Sequence, residues 1–276
     1  MKRNLSTILL VVVFLAGLSL LLYPTISDRW NAVHASQAVA SYVDQVQELD
    51  QSEYDQIWNA ATAYNQALGS GSSTLEDQKA QYEKLLDITG TGIMGYIEVP
   101  NIRVSLPIYH GTDESILQVA VGHLAWSSLP VGGEGTHCVL TGHRGLPSAK
   151  LFTNLDQMAE GDTFVIRVLN EVLTYEVDQI HIVEPEDVSD LQIEAGKDLC
   201  TLVTCTPYGV NSHRLLIRGH RVENAPEAVR LTSEAVQIEP LLVAPIVACP
   251  ILLALLIVLL VSKRNKNGGS HHGKKK

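Results

Sequence analysis

Acidic side chains are missing from both ends of this chain. All 30 Asp and Glu fall between Asp28 and Glu239. Leu5 to Ile26 and Leu241 to Val261 contain no charge of either sign. Each of these runs is about 20 residues, long enough to cross a bilayer as a helix. No small-x-small cleavage site follows the first run, where Tyr23-Pro24-Thr25-Ile26 stands instead. That predicts a retained anchor rather than a removed signal peptide. Cysteine is scarce. Cys138, Cys200, Cys205 and Cys249 are the only four in 276 residues, which excludes a disulfide framework. There is no C-x-x-C and no H-x-x-x-H, so the common zinc patterns are absent. No metal and no cofactor are expected. A basic patch is lacking too. Between Asp28 and Glu239, 12 Lys and Arg face 30 acidic residues, a net charge of −18. Such a surface cannot neutralise phosphates, which argues against nucleic acid as a partner. No internal repeat is present.

What is there divides the chain into six parts. Residues 1–27 form an N-terminal membrane anchor and 241–261 a second span, interrupted by Pro245 and Pro250. Lys2 and Arg3 flank the first span; Lys263, Arg264 and Lys266 flank the second. The positive-inside rule then puts both termini in the cytoplasm and the region between them outside the cell membrane. Residues 28–90 read as helical. Val39, Val43, Val46 and Leu49 recur at three and four, as do Tyr54, Ile57, Trp58, Ala61 and Tyr64. Asp50 with Glu53 resembles a capping box, which predicts a break between two helices there. Gly69-Ser70-Gly71-Ser72 interrupts the pattern, and Ser73 with Glu76 predicts a third helix reaching about Asp87.

Residues 91–222 have a different texture. Short Val, Ile and Thr runs alternate with turn residues. Expected strands are Gly95–Val99, Leu106–Tyr109, Cys138–His143, Thr163–Leu169, Glu171–Pro185, Leu199–Cys205 and Arg214–Val222. Ile116–Val121 and Ala149–Leu155 read as helical turns. So many short strands suggest a mainly β fold with a closed or nearly closed barrel. A polar linker, 223–240, and a basic tail, 262–276, complete the chain.

Three residues could carry chemistry. Cys205 ends the apolar strand Cys200–Thr204, and Pro207 and Gly209 stop that strand at once. A thiol there sits on a rigid element at its rim, which suits a nucleophile; composition alone equally allows a structural cysteine. Cys200 and Cys205 are an odd number apart, so on one strand they face opposite ways. Arg214 opens the returning strand, which places it near Cys205. Its fork can hold an oxyanion, although it is also an ordinary strand-end arginine. His143 can transfer a proton near neutral pH. Among ten histidines, His137 and His213 are its nearest competitors.

Thr201-Leu202-Val203-Thr204-Cys205 resembles the TLxTC signature of sortases, cysteine transpeptidases of Gram-positive cell surfaces. Thr206-Pro207-Tyr208 and Asn211–Leu216 are similar to the class C, pilus-building branch, and Thr141–Pro147 resembles that family's histidine segment. The resemblance covers roughly Asp28 to Val222. It implies a sortase-like eight-stranded closed β-barrel with an N-terminal helical extension and two transmembrane helices. It implies Cys205 as nucleophile, His143 as general acid/base and Arg214 as oxyanion stabiliser. The implied reaction cleaves an LPxTG-like sorting signal between Thr and Gly and passes the acyl group to a pilin lysine. The alternatives are a housekeeping enzyme, whose acceptor is a peptidoglycan-precursor amine, and a non-catalytic surface scaffold. The partners are LPxTG-bearing pilins or surface proteins. Where class C members carry an Asp-Pro-aromatic lid anchor, this chain reads Leu68-Gly69-Ser70-Gly71-Ser72-Ser73-Thr74. Lacking both the proline and the aromatic, the segment predicts a weak lid.

Overall fold

In the computed structural model, residues 2–71 and 75–224 are described. The expected second span at 241–261 and the Ser73 cap lie outside them. Three helices lead the chain: α1 (Lys2–Glu48), α2 (Gln51–Gly69) and α3 (Leu75–Tyr82). The stretch Ile8–Glu48 within α1 is long and apolar enough to cross a membrane. The break before α2 has the cause read from sequence. Asp50 Oδ1 accepts from the Glu53 N–H (2.8 Å), and Glu53 Oε2 accepts from the Asp50 N–H (3.2 Å). Two otherwise unpaired N-terminal donors are thereby satisfied.

Eight strands follow: β1 (Ile93–Val99), β2 (Val104–His110), β3 (Val121–His123), β4 (Thr136–Thr141), β5 (Thr163–Val168), β6 (Glu171–Val183), β7 (Asp198–Thr206) and β8 (His213–Val222). A short helix, α4 (Glu114–Leu117), precedes β3. The strands close into a barrel in the order β1-β2-β3-β4-β7-β8-β6-β5. β2–β3 and β4–β7 are parallel, and the other pairings are antiparallel. Closure leaves no unpaired sheet edge. The expected closed, eight-stranded, mainly β barrel is therefore what the chain forms.

Period-two alternation fills the barrel. Cys138 and Leu140 of β4, Cys200 and Leu202 of β7, and Leu215 and Ile217 of β8 join the central core. Their outward neighbours Val139, Val203 and Leu216 form a separate small cluster with Leu191 from the β6–β7 connection. Two polar side chains fasten the helical extension to the barrel. Tyr42 on α1 donates from its hydroxyl to the Met94 carbonyl (3.0 Å) and accepts from the Leu169 N–H (2.8 Å). Asn65 on α2 makes a two-way amide pair with Leu129, at 3.0 and 2.7 Å.

Two expectations differ. The run Ile116–Val121 is not one helical turn: α4 stops at Leu117 and Val121 opens β3. The third helix stops at Tyr82, short of Asp87. The Tyr82 hydroxyl is held beside both the His123 ring (2.9 Å) and the Gly111 N–H (2.9 Å), which fixes the chain to the barrel there.

Candidate active site

β7 lies between β4 and β8, and the three candidate residues lie at or just beyond the ends of these strands. Cys205 and Arg214 are direct Cα partners in the antiparallel β7–β8 ladder. In the parallel β4–β7 ladder Thr141 pairs with Val203. The register continues for one more step. The Gly142 N–H donates to the Val203 carbonyl (3.1 Å), and Thr204 Oγ1 donates to the Gly142 carbonyl (2.8 Å). Cys205, two residues beyond Val203 on β7, keeps the outward face, and His143 lies two residues beyond Thr141, past the end of β4. Parity also separates Cys205 from Cys200: Cys205 is half-buried and Cys200 fully buried.

The backbone around His143 is tightly fixed. A Cβ at Gly142 would sit 2.8 Å from the fully buried Phe152 ring. The Phe152 N–H donates to the His143 carbonyl (3.1 Å) and closes the loop after β4. Arg144 reaches the other way. Its Nη1 donates to Thr206 Oγ1 (3.3 Å), its Nη2 pairs with Asp156, and its guanidinium lies 6.0 Å from the Tyr208 ring centre. The residue after the histidine is thus tied to the residue after the cysteine.

The imidazole of His143 has an open position. Its Nε2 is buried and has no hydrogen-bond partner. Glu114 Oε2 stands 3.6 Å away, close enough for charge attraction but beyond hydrogen-bond reach. Glu114 is 73% exposed, so water screens most of that attraction. Arg214 is half-buried, and its Nη1 donates to the carbonyls of Asn211 (3.3 Å) and His213 (3.1 Å) in its own loop. Those neutral acceptors are weaker partners than an oxyanion.

The competing histidines are placed elsewhere. His137 is buried beneath the β6–β7 connection, bonded to the Gln192 carbonyl and Thr201 Oγ1, each at 2.8 Å. Burial lowers its affinity for a proton below the ordinary imidazole value. His213 pairs with Thr206, one step from Cys205 and on the opposite face, and it meets Glu184 at 3.3 Å. No cluster of three or more metal-ligating side chains occurs among the described residues.

On the outward face of the same strands, Val203, Val139 and Leu216 are buried under Leu191 with Val183 packed against them, which holds the strand ends in place. A thiol, an imidazole and a guanidinium at these strand ends suit acyl transfer to a sulfur nucleophile.

Comparison with known proteins agrees with that chemistry. The Sortase domain model matches residues 97–222. Sortase D of Bacillus subtilis (strain 168) is 32% identical over 166 residues, covering 59% of this chain and 79% of that protein. The crystal structure of sortase C1 from Streptococcus agalactiae is 50% identical with a TM-score of 0.66, covering 68% of this chain and all (100%) of that one. Clostridium perfringens sortase C, solved with the C-terminal cell wall sorting motif, is 39% identical with a TM-score of 0.61, covering 68% and 99%. The chain belongs to the sortase family of cysteine transpeptidases, and its structural neighbours are class C members.

Proposed function

We propose that this enzyme cleaves an LPxTG-like sorting signal between Thr and Gly and joins the threonyl group to a lysine of a pilin. Cys205 Sγ attacks the Thr carbonyl carbon. Arg214 turns its fork from the loop carbonyls to the developing oxyanion. His143 gives a proton to the departing glycine amine, leaving a thioester on Cys205. The lysine amine then attacks the thioester, His143 takes its proton, and the thiolate leaves. The observation that carries this reading is the direct Cys205–Arg214 pairing; the Thr141–Val203 pair, two residues before both His143 and Cys205, supports it. The sorting motif with the Clostridium perfringens enzyme supports the substrate class.

The catalytic unit, 91–222, would stand outside the cell membrane between an N-terminal anchor and a second span at 241–261, with both termini cytoplasmic. The apolar stretch in α1 and the basic flanks of both runs support this topology.

The test is intact mass spectrometry of the full-length enzyme mixed with an LPxTG peptide, with and without a lysine-bearing pilin. A threonyl adduct on Cys205, discharged by the pilin, is expected. Cys205→Ala should give no adduct, and Arg214→Lys should form it on the order of 10²–10³ slower, because a point charge cannot replace the fork. An adduct that the pilin leaves intact but a peptidoglycan-type amine discharges would refute the pilin acceptor. Adduct formation by Cys205→Ala would refute the site.

A further inference from the structure

A pair of thiols lies inside the barrel, on the two strands that lead to His143 and Cys205. Cys138 and Cys200 are Cα partners in the parallel β4–β7 ladder. Both point inward, both are almost fully buried, and both are free. Neighbouring strands lie about 4.7–4.9 Å apart. A disulfide accepts Cα separations of about 4.4–6.8 Å. Direct partners on neighbouring strands therefore fall within the Cα span of a cross-link, and their side chains need only turn toward one another. Burial opposes ionisation of Cys138, but the neighbouring Cys200 thiol and the His123 ring together favour its thiolate and outweigh burial, while burial pushes the Cys200 thiol up. Thiolate character at one sulfur is what disulfide exchange needs.

We propose that Cys138 and Cys200 are a disulfide-forming modification site that staples β4 to β7 beneath the active site. The oxidant is a second disulfide, either a small molecule or an exchange enzyme. The Cys138 thiolate attacks one of its sulfurs and expels a thiolate. Cys200 then loses its proton and attacks the mixed disulfide at Cys138, expelling the second thiolate. One disulfide forms, one is reduced to two thiols, and both cysteine protons end on those thiols. Access comes while the chain folds or when the barrel opens locally. An oxidising compartment follows from the extracytoplasmic placement proposed above; the chemistry itself is independent of that reading. The cross-link would hold fixed the strand register that brings His143 toward Cys205.

The experiment uses the full-length chain in detergent with Cys205→Ala and Cys249→Ser, so that only the interior pair can react. Glutathione disulfide is applied to the folded protein and, separately, during refolding from urea. The protein is then denatured, alkylated and analysed by mass spectrometry. The expected product is lighter by two hydrogen atoms, takes up no alkyl group, and yields a reducible peptide pair joining Cys138 to Cys200. Its melting temperature should rise by several degrees and fall back on reduction. Two alkylated thiols after both treatments, or separate glutathione adducts on each cysteine, overturn the proposal. Adding Cys138→Ala should leave Cys200 open to alkylation, and persistence of the two-hydrogen loss in that variant also overturns it. Cys205 is absent throughout, so the outcome is independent of whether the transpeptidation reading holds.

Discussion

Gly142→Ala tests the idea that the histidine is placed by packing one residue away. The added Cβ would meet Phe152 Cδ2 at 2.8 Å and Cγ at 3.0 Å. Carbon atoms rest at about 3.5–4.0 Å, so the ring or the strand end must yield by close to 1 Å. The ring is fully buried, and its residue's N–H is bonded to the His143 carbonyl, so it has no easy escape. Overpacking of this kind costs roughly 1–3 kcal/mol of stability. The strand-end shift also carries His143 away from Cys205, and a 1 Å misplacement costs on the order of 10²-fold in rate. Urea unfolding gives the first quantity, and turnover of an LPxTG peptide the second. Adding Phe152→Leu removes ring atoms from the clash and should recover part of the lost turnover, although the smaller side chain costs stability of its own. A Gly142→Ala enzyme with wild-type stability and turnover within two-fold would refute the packing argument. A double variant no faster than the single one would refute its steric origin.

Three further outcomes follow from contacts described above. Asp50→Ala removes one half of the capping box and should lower stability by about 0.5–2 kcal/mol in urea unfolding, with little change in turnover. Arg144→Leu cuts the tie between the residues following His143 and Cys205. It should slow turnover more than it weakens peptide binding, whereas equal loss in a binding assay would argue against a positioning role. Burial holds His137 neutral in the folded protein while the unfolded chain protonates it near the ordinary value of about 6.5. Stability should therefore be unaffected by this group above that pH and should fall as pH drops below it. His137→Asn should flatten that part of the melting-temperature profile, and an unchanged acid slope would refute the assignment.

The hairpin half of the site was legible in the sequence and the other half was not. Cys205 and Arg214 flank a single loop between apolar strands, so their pairing follows from local chain reversal. His143 is brought toward Cys205 only by the parallel β4–β7 ladder, whose last partners Thr141 and Val203 are 62 residues apart. No periodicity encodes that pairing, and only the resemblance linked the histidine to the thiol. β3 went unread for a different reason. It has three residues with Gly122 at its centre, too short for an alternation to register. That glycine is required because a Cβ there would meet the Gly111 carbonyl at 2.4 Å. Glu114 carries no motif signal, and Arg144 lies in the histidine segment without a role that the sequence assigns. Glu114 approaches His143 across the barrel rim, and Arg144 acts through side chains that only the closed barrel assembles.

The parallel ladder also governs the order in which reactivity appears as the chain is made. β4 is synthesised well before β7, and the thiol before Arg214. Closing so long a loop carries an entropic cost that only the assembled barrel can offset. In a partly folded chain Cys205 therefore stands apart from both the imidazole and the guanidinium, with the reactivity of an ordinary unfolded cysteine. The complete set of groups exists only after β8 has paired with both β7 and β6, the last of its pairings to become possible. With the roles proposed for these three residues, a nascent molecule does not capture sorting signals prematurely, and competence to react becomes a report that folding has finished.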